Sequence, residues 1–436
     1  MIKLIKNTYF ILYFFSLLSF QTIQYFLFGD YEKRCKNIIN YLASKNLLYV
    51  KVFQALSANT DLITPEFSSY LMDFTDNVPF NLNDIEINNI LEDIEEIGKT
   101  WPELKISNID SVPYKSGTIS VVYNAKMNKK NVVIKVLRKN IDKRMKEALE
   151  QAKIIIYFLS KIKIIKDLHL NMILHENTNI LLDQVDFLKE IFNIDMFERS
   201  NKNRESYIIP HVYNEFTIKN KRMIVMDKLD GIRLDKLKEE EKNEYILLIT
   251  KFLIISIIFD GHYHGDLHPG NILFMRDKNN TPKIGIIDYG IVGKLLPKVQ
   301  EDLHYFFLAL LQKDYIKVGE SILDSLIVTS DINSNINKQC IINNEIREEL
   351  IKSFSIIAEE AVRDEGNIGP DEVIKINKIL EKYNLKLSHD FCKIILSMGV
   401  SKCLCETLCV GNKKYVEYIN EATNELMSDA LNILDV

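Results

Sequence analysis

Two short runs in this chain carry oxygen-rich side chains at a spacing suited to phosphoryl transfer. They are His264-Gly265-Asp266-Leu267-His268-Pro269-Gly270-Asn271 and, one strand later, Ile287-Asp288-Tyr289-Gly290. Such chemistry asks for an Asp that orients the attacking hydroxyl or water and an Asn further along the same loop that holds one metal ion. An Asp after the next strand holds the other. Asp266, Asn271 and Asp288 fit these three places in order. Pro269 and Gly270 turn the loop, and Ile272-Leu273-Phe274 opens a buried strand leading to the second Asp. Two polar loops flanking a hairpin are the bland alternative, and a match to both halves at this spacing disfavours it.

The histidines around this loop are weighed separately. His264 is expected to hold the loop in shape, His268 to pack or hydrogen-bond within it rather than act as a base, and His262 to lie at a surface or helix end. His264 and His268 share the spacing of zinc ligands on a helix, but Gly265, Pro269 and Gly270 argue for a loop and no nearby Cys completes a set. The metal expected is nucleotide-bound magnesium, which favours carboxylate and amide oxygens.

A phosphoryl-transfer loop needs elements that hold the nucleotide. Val132-Val133-Ile134-Lys135-Val136-Leu137 is an apolar strand with one charge in its middle, costly to bury unless Lys135 meets an anion, here nucleotide phosphates and a glutamate. Upstream, Ser116-Gly117-Thr118-Ile119-Ser120-Val121 places small residues before a strand, where backbone N–H groups can approach phosphate. Gly117, Thr118 and Ser120 are the candidates there. Each signal is weak alone, but their order before the Asp-Asn-Asp set favours the functional reading.

These residues resemble the UbiB-type atypical kinases, the coenzyme-Q-associated, aarF-domain kinase family. That family carries a Lys-x-Gly-Gln motif in an N-terminal helical extension; Lys51-Val52-Phe53-Gln54 stands here. It carries Glu-x-Asp and then a Glu on the same helix; Gln184-Val185-Asp186 precedes Glu190, the partner the resemblance gives Lys135. Asp186 and Glu190 lie four apart, as on one helical face. Met223-Ile224-Val225-Met226-Asp227-Lys228 resembles the strand and hinge between the family's lobes, with Met226 and Lys228 at the nucleotide. The chain departs from the pattern at Phe53, at Gln184, and in the loop Lys115-Ser116-Gly117, where the family is alanine-rich.

The resemblance implies an α+β, two-lobed protein-kinase-like fold, helix-rich, with an N-terminal helical extension. It implies ATP (or ADP) and Mg2+ as cofactors. It also implies phosphoryl transfer or ATP hydrolysis linked to isoprenoid lipid or quinone metabolism, with a membrane lipid or lipid-like small molecule as partner. Lys51, Gln54, Gln184 and Asp186 would be regulatory, the extension filling the space where a protein kinase receives its substrate. Aminoglycoside- and choline-type phosphotransferases use a similar His-Gly-Asp loop, and a nucleotide-binding pseudokinase scaffold is the alternative from another class.

The expected organisation is a hydrophobic segment over residues 1–29, a helical extension over 30–105, an N-lobe over 106–227 and a helical C-lobe over 228–436. With 436 residues, 47% hydrophobic and 26% charged, the chain can bury two lobes, and a net charge of −5 gives no case for nucleic acid. Six cysteines without paired knuckles are expected as reduced thiols. From Asn7 to Gly29 no residue is charged. A membrane anchor is expected there, with an amphipathic helix against the lobe and a cleaved signal as alternatives.

Overall fold

The structure, a computed structural model, describes residues 2–51, 70, 78, 82–161, 174, 178, 181–329, 342–364 and 370–434. The chain divides into two compact units, Met1–Phe192 with His211–Lys228, and Asn193–Pro210 with Leu229–Val436. The fold is kinase-like and helix-rich, with an antiparallel sheet in the first unit and N-terminal helices.

The sheet of the first unit has the order β1 (Ile106–Ser107), β3 (Ser120–Met127), β4 (Lys130–Leu137), β6 (Met223–Asp227), with β2 (Lys115–Ser116) also on β3. Every pairing is antiparallel. Side chains alternate along a strand, so Val132, Ile134 and Val136 share one face of β4 and Lys135 faces the other way. The apolar face packs on helix α3 (Ile87–Thr100), whose Ile90, Ile94 and Ile97 recur at helical spacing and are buried. Each such side chain contributes about 1.5–3 kcal/mol on burial. Trp101 and Pro102 end α3, since the residue before proline is driven out of the helical region. Ahead of α3, Asp84 sits in a 3-10 turn and its carboxylate is engaged by Arg138.

Four further helices among the described residues belong to this unit: α1 (Ile2–Phe28), α2 (Tyr31–Lys45), α4 (Ile141–Leu159) and the short α6 (Asn214–Lys219). Asp30 caps α2, accepting from Lys33 N. Phe10 of α1 stacks on Tyr49, and Phe15 meets Phe158 of α4 edge-on. Among the described residues one helical stretch, Asn7–Phe28, is long and apolar enough to cross a membrane by length and composition. Helix α5 (Phe187–Ser200) begins in the first unit and ends in the second.

In the second unit, β8 (Ile272–Arg276) and β9 (Pro282–Ile286) form a hairpin, with β5 (Tyr207–Ile208) parallel to β9. Strand β7 (His262–His264) pairs with β10 (Val292–Lys294). Two 3-10 turns precede the regular helix α7 (Lys242–Ile254), with Glu239, Glu240 and Glu241 at its entry, where the dipole favours acids. A π-turn over Ile255–Phe259 follows, closed by Asp260 N to Ile255 O at 3.0 Å. Arg204 grips the Asp260 carboxylate with both terminal nitrogens, and Gly261 turns the chain into β7 at φ +68°.

The rest of this unit is a helical core built by α8 (Pro297–Leu311), α9 (Tyr315–Ser325), α10 (Asn344–Asp364), α11 (Pro370–Glu381) and α12 (His389–Leu408), followed by α13 (Tyr415–Leu434). A purely helical pattern was expected beyond Lys298. Two strands interrupt it, β11 (Ile327–Thr329) and β12 (Leu385–Leu387), each too short to leave a periodic signal.

Candidate functional site

In the first unit, Lys135 stands in the central strand β4, between β3 and β6. Its ammonium donates to Glu190 Oε1 at 2.6 Å, with the side chains 9% and 2% exposed. A pair this buried offsets its desolvation only with close geometry. Glu190 lies in the first turn of α5, and the ring of Phe187, one turn earlier, sits 5.5 Å from the Lys135 ammonium. Asp186 was expected on one helical face with Glu190. It is the cap instead: its Oδ1 accepts from Leu188 N and Lys189 N, a role the same four-residue spacing permits. Gln184 lies in the turn before it, and its Oε1 is buried without a hydrogen-bond partner among the described residues.

The small-residue segment forms the turn between β2 and β3, closed by Gly117 N to Ser120 O at 2.9 Å. Thr118 is 3% exposed. Sequence reasoning missed the residue that holds this turn. Arg138, 2% exposed, donates to Gly117 O, Ser116 Oγ and Asp84 Oδ2 at 2.8–2.9 Å. Burial lowers its affinity for its proton, while the Asp84 carboxylate opposes that shift. A charge directly after an apolar strand was the available signal. Met226 is inside the sheet, flanked by Val133 and Val212. Lys228 follows, its N–H on Asn131 O and its ammonium 5.1 Å from the Tyr114 ring centroid. Lys51 is half-buried on a helical turn, and Gln54 lies outside the described residues.

In the second unit, the loop after β7 is built by its own backbone. His264 is fully enclosed: its Nδ1 accepts from Asp266 N at 3.2 Å, which fixes the tautomer that donates from Nε2 to Asp288 O at 2.7 Å. Burial lowers its pKa, so the ring stays neutral and keeps both bonds. Ser397 donates to His264 O at 2.7 Å. His268 Nδ1 accepts from Gly270 N and caps the turn Pro269–Asn271. Gly265 passes so close to Ile291 that a Cβ there would lie 2.4 Å from Ile291 Cγ2. His262 was expected at a surface or helix end; it is 7% exposed, in a strand whose three residues are all buried, with its ring against Phe197.

Asn271 donates from Nδ2 to Asp266 O at 2.9 Å, so the backbone at Asp266 and the Asn271 amide are set by one bond. With its nitrogen spent, the amide presents Oδ1, the atom a hard cation takes. Asp288 Oδ1 accepts from Gly290 N at 2.9 Å, which fixes the carboxylate plane. Tyr289 is wholly buried against Phe197 and His264, its carbonyl accepts from Asn193 Nδ2, and burial raises its phenol far above the ordinary value. Arg233 donates to Gly270 O and braces the loop from outside.

The Asn271 amide oxygen and the Asp288 carboxylate, on either side of the β8–β9 hairpin, are the oxygen donors that a hard cation such as magnesium favours. Among the described residues no group of three or more His, Cys, Asp or Glu assembles as a cage for a metal held by protein alone.

A family model described as the ABC1 atypical kinase-like domain matches residues 74–322. Solved structures similar to the chain include the Rv3197–erythromycin complex from Mycobacterium tuberculosis, at 18% identity over 91% of this chain and 96% of that one, TM-score 0.48. The Rio2 kinase–ADP/Mg2+–phosphoaspartate complex from Chaetomium thermophilum is similar at 12% identity over 77% and 94%, TM-score 0.28. The PK-1 kinase of Cydia pomonella granulovirus is similar at 14% identity over 66% and 99%, TM-score 0.27.

Proposed function

Because the chain belongs to the ABC1 atypical kinase-like family, we propose that it is a magnesium-nucleotide-dependent atypical kinase or ATPase that works at a membrane. The observation that carries this reading is the coupled geometry of Asp266, Asn271 and Asp288, held by the Asn271-to-Asp266 and His264-to-Asp288 bonds.

Lys135, oriented by Glu190, binds the α/β-phosphates as a fixed point charge, and the turn Gly117–Ser120 covers the phosphates. Met226 and Lys228 border the base. Asn271 Oδ1 and Asp288 would hold magnesium, which when bound neutralises charge developing on the transferred phosphoryl group. Asp266 accepts the proton of the acceptor hydroxyl or water and aims its oxygen at the phosphorus. His264 moves no proton; its neutral ring keeps Asp266 and Asp288 in register.

The acceptor is a lipid or lipid-like small molecule, or water. That part rests on the family resemblance, which links such kinases to isoprenoid-quinone chemistry, and on the apolar α1. Lys51 is assigned to the regulatory extension. Gln184 in place of an acid supports a second reading, a scaffold that binds nucleotide without turnover.

Phosphate release from magnesium-ATP, with and without anionic liposomes and beside Asp266→Asn, separates these. Turnover that rises with liposomes and vanishes in the variant supports the enzyme. Clear nucleotide binding without turnover sinks it and leaves the scaffold.

A further inference from the structure

Helix α1 is apolar on both its inner and its outer side, and two of its amides face inward. Its side toward the first unit carries the amides: Gln151 of α4 donates to Asn7 Oδ1 at 2.8 Å, and Asn37 of α2 donates to Gln21 Oε1 at 3.3 Å. Phe14, between them, is 4% exposed. The opposite side carries Tyr9, Leu12, Phe20, Ile23 and Leu27, each more than half exposed. At 100° per residue these five fall on one stripe, about 27 Å long at ~1.5 Å per residue. No charge interrupts it. Phe10, Phe14 and Phe15 also pack inward, so α1 is apolar on both sides, whereas a helix facing water would turn its amides outward.

The stripe has a rim. Tyr157 and Phe158 at the end of α4 are 57% and 45% exposed, and Phe158 touches Phe15 of α1. The Lys161 ammonium lies over both rings, 4.7 and 5.3 Å from their centroids. An aromatic pair topped by a lysine suits the boundary between acyl chains and anionic headgroups.

From these observations we infer that α1 lies flat in the surface of a lipid bilayer, docked on the first unit, with its stripe in the outer acyl region, and does not cross. The inference rests on the membrane part of the proposed function and specifies its geometry. Asn7 and Gln21 are about 21 Å apart along the helix. Both are bonded, so α1 is held on α2 and α4 at both ends of that span. Those helices carry Glu32, Lys33, Arg34, Lys143, Arg144 and Glu147. Crossing would break the seat or draw these charges into hydrocarbon.

Depth-dependent quenching tests this on the full chain. Trp101 is the sole tryptophan. Trp101→Phe therefore gives a dark background for Leu12→Trp, Phe20→Trp and Leu27→Trp, made one at a time at exposed positions that leave the packing intact. Vesicles of phosphatidylcholine and phosphatidylglycerol carry bromine either high or deep on the acyl chain. The expected result is that the shallow bromine quenches all three tryptophans more strongly, and to the same degree. A profile deepest at position 20 and shallow at 12 and 27 means a crossing helix and overturns the inference while keeping the membrane. Unquenched tryptophan with doubled mass by light scattering means the stripe meets a second copy of this chain. Unquenched monomer means it meets nothing lipid, and the membrane part fails with it. Phosphate release in the same samples reports on the catalytic reading independently.

Discussion

Lys135 and Glu190 share a bond inside the first unit, so removing one partner strands the other. Lys135→Met leaves a carboxylate at 2% exposure, and urea unfolding should report a loss of about 3–5 kcal/mol. Adding Glu190→Leu should restore most of that stability but not nucleotide affinity. If the double variant is no more stable than the single, the pair is not coupled. His262 gives a pH signature. Burial, the larger effect, holds its pKa below the ordinary value, although Asp260 pulls the other way. The unfolded chain therefore binds the proton more readily. The stability this neutral ring contributes is complete above the unfolded value of about 6.5 and falls as pH drops through and below it. His262→Phe should flatten the urea midpoint between pH 7.5 and 5 relative to the parent. At this scale the sequence was readable where residues of one loop meet each other, as Asn271 meets Asp266 five positions away. It was silent where a side chain answers a distant backbone: Asn193 reaches Tyr289 across 96 positions and Ser397 reaches His264 across 133. No local pattern encodes such a partner.

Strands and helices were legible when long. The β4 run and the α3 stripe declare their period, whereas β11 and β12 are fixed only by packing in the second unit. The four-residue spacing of Asp186 and Glu190 suits a helical face or a cap followed by the first turn, and only the backbone decides between them. The approach of the loop to β10 has a direct consequence. Gly265→Ala must push Ile291 aside, since its Cβ would meet Cγ2 at 2.4 Å. Overpacking of this kind costs about 1–3 kcal/mol. The thermal midpoint should fall accordingly, and Gly265→Ala with Ile291→Ala should recover part of it. Equal midpoints for the two variants would mean the strain lies elsewhere.

For the molecule as a whole, nucleotide binding and folding are linked. A ligand at a hundred times its dissociation constant stabilises by about 2.7 kcal/mol. Magnesium-ATP should therefore raise the unfolding midpoint in urea, and Asp288→Asn should abolish the magnesium-dependent part of that rise. If the variant gains as much from added magnesium as the parent does, Asp288 is not a ligand. The kinase-like architecture was legible because its motifs fall in a fixed order along the region the family model matches, residues 74–322. The helical core beyond it carries no motif, only apolar spacing, which fixes helices but not how they assemble.

The bond between Asn7 and Gln151 joins positions 144 apart, and synthesis separates them in time. At ~5–20 residues per second, the first helix leaves the ribosome roughly 7–29 s before α4 can offer Gln151. During that interval Asn7 has no mate, whereas Gln21 can meet Asn37 once 16 more residues have emerged. The bond near the start of α1 can therefore close only after the one near its end, and the helix is seated from α2 back toward its first turns.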